Sequence, residues 1–132
     1  MIADTSAWIE MLRASGSPTH LRLQNALLGG ETCWVPEVVY REVLQGARSV
    51  QHFLELQKLL NAMPAYVSAD PLSLARSASL LYARCRWQGL QVRSPNDCMV
   101  AACAIEAGEA LLARDKDFEA IAQIEPLLKL IP

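Results

Sequence analysis

Short apolar segments alternate along this chain with longer stretches whose apolar residues recur every three or four positions, and that alternation constrains the fold more than any other feature. Segments 1–4, 32–35, 66–69, 110–113 and 127–131 have the length and apolar content of buried strands. Between them, Leu56, Leu59, Leu60 and Met63 share one helix face, and Leu74, Ala78, Leu81, Tyr82 and Cys85 share another. Strands separated by helices run parallel, so the expected class is α/β, a parallel sheet covered by helices. The run Cys98 to Ile105 is apolar all round and rich in small side chains, which predicts a helix buried centrally against the sheet and ended by Gly108. Pro36 is read as a first-turn proline after the second strand. Ser94-Pro95-Asn96-Asp97 combines an N-cap serine, Pro at N1 and an acid at N3.

No linker or repeat divides the 132 residues, so residues 1–132 are read as a single domain. The longest apolar run, at eight residues, is far short of a membrane span. Asp4 stands where a signal peptide would need a basic and then apolar stretch, which points to the cytoplasm. Cys33, Cys85, Cys98 and Cys103 contain no Cys-x-x-Cys and are expected as free buried thiols. His20 and His52 lie far in sequence from any cysteine, lack zinc-ligand spacing and are expected at the surface. A net charge of −2 opposes a wholly basic surface for nucleic acid, yet nine of the twelve basic residues are arginines, the side chain suited to phosphate.

The chain has five aspartates, and four fall in three segments where a strand meets a helix: Asp4-Thr5-Ser6, Ser94-Pro95-Asn96-Asp97, and Arg114-Asp115-Lys116-Asp117-Phe118. In a parallel sheet every strand ends at one edge, the edge where ligands of open α/β sheets bind. Asp4 closes the first strand, Asp115 follows the fourth, and Asp97 opens the helix that precedes the fourth. Glu42 lies about a turn and a half into the helix after the second strand, where Val39 and Val43 turn it toward the same crevice. Asp4 alone also reads as an N-cap, Asp97 as the acid of a capping box, and Asp115 or Asp117 as the cap of the helix that Phe118 begins, each worth about 1 kcal/mol. Four carboxylates in one crevice, however, cannot all ionise without a cation among them. Oxygen ligands with no His or Cys nearby favour Mg²⁺, with Mn²⁺ able to substitute, over zinc.

Together these pieces resemble the PIN domain and, within it, the VapC-type ribonuclease toxins of prokaryotic toxin–antitoxin pairs. The carriers are Asp4-Thr5-Ser6-Ala7-Trp8-Ile9, Glu42, Ser94 to Ala102, and Leu111 to Phe118, in an order that covers nearly the whole chain. The resemblance implies a three-layer α/β/α sandwich with a mainly parallel sheet. It implies Asp4, Glu42, Asp97 and Asp115 as the catalytic acids, with Asp4, Asp97 and Asp115 on the metal and Glu42 and Asp117 as further candidates. Ser6 matches a hydroxyl that accompanies the first acid. Members of the family cut RNA with a metal, and the toxins are held inactive by an antitoxin in the active-site groove. Small members dimerise, and the helices around Leu54–Leu60 and Leu74–Trp87 are candidates for that surface or for the antitoxin. Arg41 departs from the family, where many relatives carry a small residue before the glutamate.

The expected chemistry is hydrolysis of an RNA phosphodiester by an activated water. Thr5 and Ser6 are candidates to hydrogen-bond a ligating carboxylate. Arg86, Arg93, Arg114 and Lys116 are the candidates for RNA backbone contact, with Arg41 and Arg48 as an alternative pair. Trp87 is read as lying in the loop before Asp97, in a core or interface role or as a stacking platform for a base. A phosphatase of the haloacid dehalogenase type would need a second Asp where Ser6 stands. A phosphorelay receiver would need paired acids at the first strand and a later Lys. The remaining alternative is a catalytically silent PIN-like domain that binds RNA or a partner.

Overall fold

The computed structural model describes residues 1–132. Its elements follow in the order β1 (Ile2–Ala3), α1 (Thr5–Leu12), α2 (Pro18–Leu28), β2 (Val35–Pro36), α3 (Glu37–Gln45), α4 (Val50–Asn61), β3 (Ala65–Tyr66), α5 (Pro71–Trp87), α6 (Pro95–Ala107), β4 (Leu111–Leu112) and α7 (Asp117–Ile124). β1 runs parallel to β4 with Ile2 opposite Leu111, and β2 runs parallel to β3 with Val35 opposite Ala65. Single parallel bridges, Ile2 to Trp34 and Leu111 to Leu130, join the pairs into one sheet of order β3-β2-β1-β4 with Leu130 outermost. The chain steps one way from β1 to β3 and then returns to the other side of β1, so the order reverses between β1 and β4. Right-handed crossovers then put α1 to α4 on one face and α5 to α7 on the other. The packing agrees, since α1 packs on α2 and α3, α3 on α4, and α5, α6 and α7 on one another. The architecture is a three-layer α/β/α sandwich with a parallel sheet.

The strands are shorter than the apolar segments suggest. An apolar run reports burial, whereas a ladder also needs backbone alignment. Segment 127–131 contributes the single bridge at Leu130, and segment 66–69 stops pairing at Tyr66, with Val67 exposed. The second strand lies at its segment's far end, and Pro36 belongs to it with extended backbone (φ −68°, ψ 154°). Pro36 is therefore the N-cap of α3 rather than its first-turn residue. A residue without an N–H is tolerated where the ladder ends and the helix begins.

Trp8, Phe118, Ile2, Leu111, Leu112 and Val100 are fully buried at the centre of one apolar core. In α6, Cys98, Val100, Ala101, Ala102, Cys103 and Ala104 are all buried, as a helix of small apolar side chains between sheet and α5 requires. Gly108 ends it in the left-handed conformation, φ 67°. All four cysteines are buried and unpaired, and no helix is long and apolar enough to cross a membrane.

His20 corrects the expectation of a surface histidine, because it is buried and structural. Its N–H donates to Ser17 Oγ while its Nδ1 accepts from Gly16 N. The half-buried His52 repeats the pattern with Ser49 Oγ and Arg48 N. In both, a Ser-x-x-His segment closes a reciprocal box over the start of a helix, with the ring nitrogen accepting as a Glu or Gln side chain would.

Candidate active site

The crevice at the carboxyl edge of the sheet lies where β1 and β4 part in opposite directions, and two acids arrive there directly from those strands. Asp4 follows β1, and its main-chain N–H donates to Leu112 O at 2.8 Å, which ties it to β4. It is the N-cap of α1, its Oδ2 accepting from Ser6 N at 2.9 Å and from Ser6 Oγ at 2.6 Å. Ser6 Oγ in turn accepts from Arg114 N at 2.9 Å, so one hydroxyl links the loop after β1 to the loop after β4. Only 4% of Asp4 is exposed. Burial holds its pKa above the ordinary 3.8, the Ser6 hydrogen bonds oppose that rise, and the nearby Glu42 charge adds to it.

Glu42 reaches the crevice from α3, whose Val38, Val39, Val43 and Leu44 are buried. Its Oε1 accepts from Thr5 Oγ1 at 3.1 Å, so Thr5 and Ser6 each hold a different acid.

Asp97 sits in the first turn of α6, where Ser94 supplies the cap by accepting from Asn96 N. It caps nothing itself. Its Oδ2 is buried with no hydrogen-bond partner. Its pKa is pushed up to about 7, first by burial and then by the charges of Asp4, Asp115, Asp117 and Glu42. The charges of the other four acids therefore converge on Asp97.

Asp115 and Asp117 come from the turn between β4 and α7. Asp115 Oδ1 accepts from Asp117 N at 2.9 Å, which shapes the entry to α7, and from Arg93 Nη2 at 3.3 Å. Asp117, 8% exposed, accepts at Oδ2 from Arg93 N at 3.0 Å and Nε at 3.5 Å. One oxygen from each of Asp97, Asp115 and Asp117 lies within 4.8 Å of the other two. This grouping includes Asp117, which the sequence ranks behind Asp4, although Asp4 is the strongest charge acting on Asp97. The available signal was the Asp-x-Asp spacing, which sets two carboxylates on one turn.

The basic candidates separate. Arg93 lies over the acids, whereas Arg86 is exposed in the last turn of α5, and Arg114 and Lys116 are exposed beside Asp115. Trp87 is the last residue of α5 and 69% exposed, which excludes a core role. Arg41 lines a groove of about 210 Å³ with Tyr66, Val67, Leu74 and Met99, one residue from Glu42 and two from Asp97.

The donor set suits a hard divalent cation. It is made of carboxylate oxygens with no His or Cys among them, and it holds a buried oxygen that no protein donor satisfies.

Residues 1–124 match the family model described as PIN domain. The VapC ribonuclease Mb1587 of Mycobacterium bovis is 36% identical over 129 residues, covering 96% of this chain and 95% of that one. Ribonuclease VapC11 of Mycobacterium tuberculosis shows the same identity and coverage. Among solved structures, the DNA-bound VapBC of Salmonella typhimurium superposes with a TM-score of 0.73 at 19% identity, covering 98% of this chain and 95% of that one. With the family model spanning nearly its whole length and relatives this similar end to end, the chain belongs to the PIN domain family.

Proposed function

We propose that this chain is a VapC-type endoribonuclease, the toxin of a type II toxin–antitoxin pair, and that it cuts RNA phosphodiesters with Mg²⁺, Mn²⁺ being able to replace it. One observation carries the reading: Asp97 presents a buried, unpartnered carboxylate oxygen among four further acids. A structural carboxylate at a helix start would have both oxygens hydrogen-bonded or solvated, and Oδ2 of Asp97 is neither.

Asp97, Asp115 and Asp4 would hold the cation, with Glu42 and Asp117 completing the charge around it. A divalent ion there supplies Lewis acidity, which makes water nucleophilic near neutral pH and offsets charge on the phosphoryl group. The chain's own residues do the positioning. Ser6 fixes the Asp4 carboxylate and Thr5 that of Glu42, so neither acid rearranges when substrate arrives. Asp97, on the rigid buried helix α6, approaches from the opposite face of the sheet to Glu42. The exposed Arg114 and Lys116 flank Asp115, and the exposed Arg86 lines a surface pocket with Arg93, where they can meet RNA phosphates.

The partner assignments follow from the relatives' names and from surface chemistry. The Salmonella neighbour is a VapBC complex, which supports an antitoxin for this chain, and the groove beside Glu42 offers an apolar lining for it. Leu54, Leu80 and Trp87 are exposed on α4 and α5 and supply apolar area for a homodimer. Four unpaired buried thiols support a reducing compartment, the cytoplasm, where RNA is present.

The test is cleavage of a labelled RNA pool by partner-free protein with Mg²⁺, with Mn²⁺ and with EDTA, beside a folded Asp97→Asn variant. Cleavage is expected with either metal and lost in EDTA and in the variant. Undiminished cutting in EDTA or by the variant would refute the reading, and a folded wild type that cuts no RNA would favour a binding-only domain.

A further inference from the structure

Arg93 is the one basic side chain that the fold lays directly on the acids, and its three contacts differ in kind. The main-chain N–H donates to Asp117 Oδ2 at 3.0 Å, a normal hydrogen bond. The side-chain contacts are longer, Nε to the same oxygen at 3.5 Å and Nη2 to Asp115 Oδ1 at 3.3 Å, and the side chain is 77% exposed. Asp117 therefore fixes where residue 93 sits through the backbone, while the guanidinium is held loosely and can be exchanged. Arg86, Arg114 and Lys116 make no ion pair, so nothing ties them to the acids.

The charges set up a competition. A divalent cation and the Arg93 guanidinium both seek Asp115, and a close pair of cations repels. An RNA phosphate entering a crevice of carboxylates needs a cation that is already at the rim, and a guanidinium fork matches two phosphate oxygens.

We propose that Arg93 is an exchangeable counter-ion of this site: it competes with the divalent cation for Asp115, and the displaced guanidinium, its backbone still anchored by Asp117, takes a phosphate of the RNA. Asp117 is then the positioning residue for Arg93 through its Oδ2. Its other oxygen stays free to face the cation. The inference rests on the nuclease reading above and assigns the substrate contact within it.

Opposite signs on two ligands make the test. Arg93→Ala should bind Mn²⁺ about two- to fivefold tighter, read by titration of RNA-free protein, because a competing charge of surface strength is gone. The same variant, at saturating Mg²⁺, should raise KM for RNA roughly tenfold with a smaller change in kcat, the loss of a charge-assisted hydrogen bond to substrate. Arg93→Lys should return the Mn²⁺ affinity to the wild-type value and recover part of the KM. The main-chain bond to Asp117 survives these substitutions, so the melting temperature should hardly move. A merely structural Arg93 would weaken both ligands together. Unchanged or weaker Mn²⁺ binding in Arg93→Ala, or an unchanged KM, overturns the proposal. A wild type that neither binds Mn²⁺ nor cuts RNA removes the nuclease reading and this inference with it. A wild type that does both, matched by Arg93→Ala, removes this inference alone.

Discussion

Replacing Asp97 by Asn should stabilise the metal-free protein, and the gain should depend on pH. In the folded chain the carboxyl titrates near 7 rather than at the ordinary 3.8, because burial and four neighbouring acids disfavour its charge. A carboxyl raised in this way favours folding while it is protonated. Its contribution is complete below the unfolded value and is lost as pH rises through the folded one. At 1.36 kcal/mol per pKa unit, the interval from 3.8 to about 7 corresponds to roughly 4 kcal/mol. Solvent screening around a half-buried carboxyl reduces this to about 2 kcal/mol. Asparagine is neutral throughout, nearly the same size, and its amide can donate to the surrounding carboxylates. Thermal unfolding in EDTA should therefore show wild type and variant melting together near about pH 4 and separating as pH rises. By about pH 8 the variant should melt higher by roughly 6–8 °C, at about 3–4 °C per kcal/mol for a chain of this size. Mg²⁺ should close the gap by stabilising the wild type alone. Coincident melting curves at both ends of the range would refute the argument that charge crowding on Asp97 strains the site.

Ser6→Ala removes a 2.6 Å donor to Asp4 and the acceptor for Arg114 N. It should cost roughly 1–3 kcal/mol in urea unfolding and weaken Mn²⁺ binding about tenfold in titration. Gly108→Ala introduces a Cβ that meets nothing within 4 Å but sits at φ +67°. Chemical denaturation should show a loss of about 1 kcal/mol from backbone strain alone, with RNA cleavage unchanged. Burial pushes the Cys33 and Cys103 thiols up to about 11 and Cys98 to about 12. A disulfide reagent at neutral pH should therefore label no cysteine until the protein unfolds, and fast labelling of a native thiol would contradict the packing.

Where one local pattern decides an element, the sequence shows it. The stripe Leu74, Ala78, Leu81, Tyr82 and Cys85 marks the inward face of α5, and the glycine after the apolar run marks the end of α6. The strand ends were not legible in the same way. Val67 is as apolar as its neighbours, yet it lies past the last pair of β3, because pairing depends on the partner strand's position. His20 was misread for a related reason. Its burial comes from a box over the start of α2, and the Ser-x-x-His signal for that box repeats at Ser49–His52. In the crevice, strand topology brings Asp4, Asp97 and Asp115 to one edge on sequence grounds. Asp117's place within 4.8 Å of Asp97 and Asp115 comes from one turn and one arginine contact, both invisible to periodicity.

Capping and ligation look like rival readings of these acids, but the hydrogen bonds show that one carboxylate can serve both. The two Ser6 donors fall on Oδ2 of Asp4, the Asp117 and Arg93 donors on Oδ1 of Asp115, and the two Arg93 donors on Oδ2 of Asp117. In each, one oxygen anchors the backbone and so fixes the side chain's direction. The other takes no part in these hydrogen bonds. A cap contributes about 1 kcal/mol, enough to hold a rotamer but less than the repulsion of several acids around a buried one. The cap at Asp4 and the loop hydrogen bonds at Asp115 and Asp117 therefore stabilise the chain segments that carry the site while the site itself remains strained, and that strain is concentrated on Asp97, the one aspartate of the crevice with no donor of its own. A cation bound there would relieve the strain where it is greatest, and the preorganised carboxylates would convert the cost of crowding into affinity for the ion.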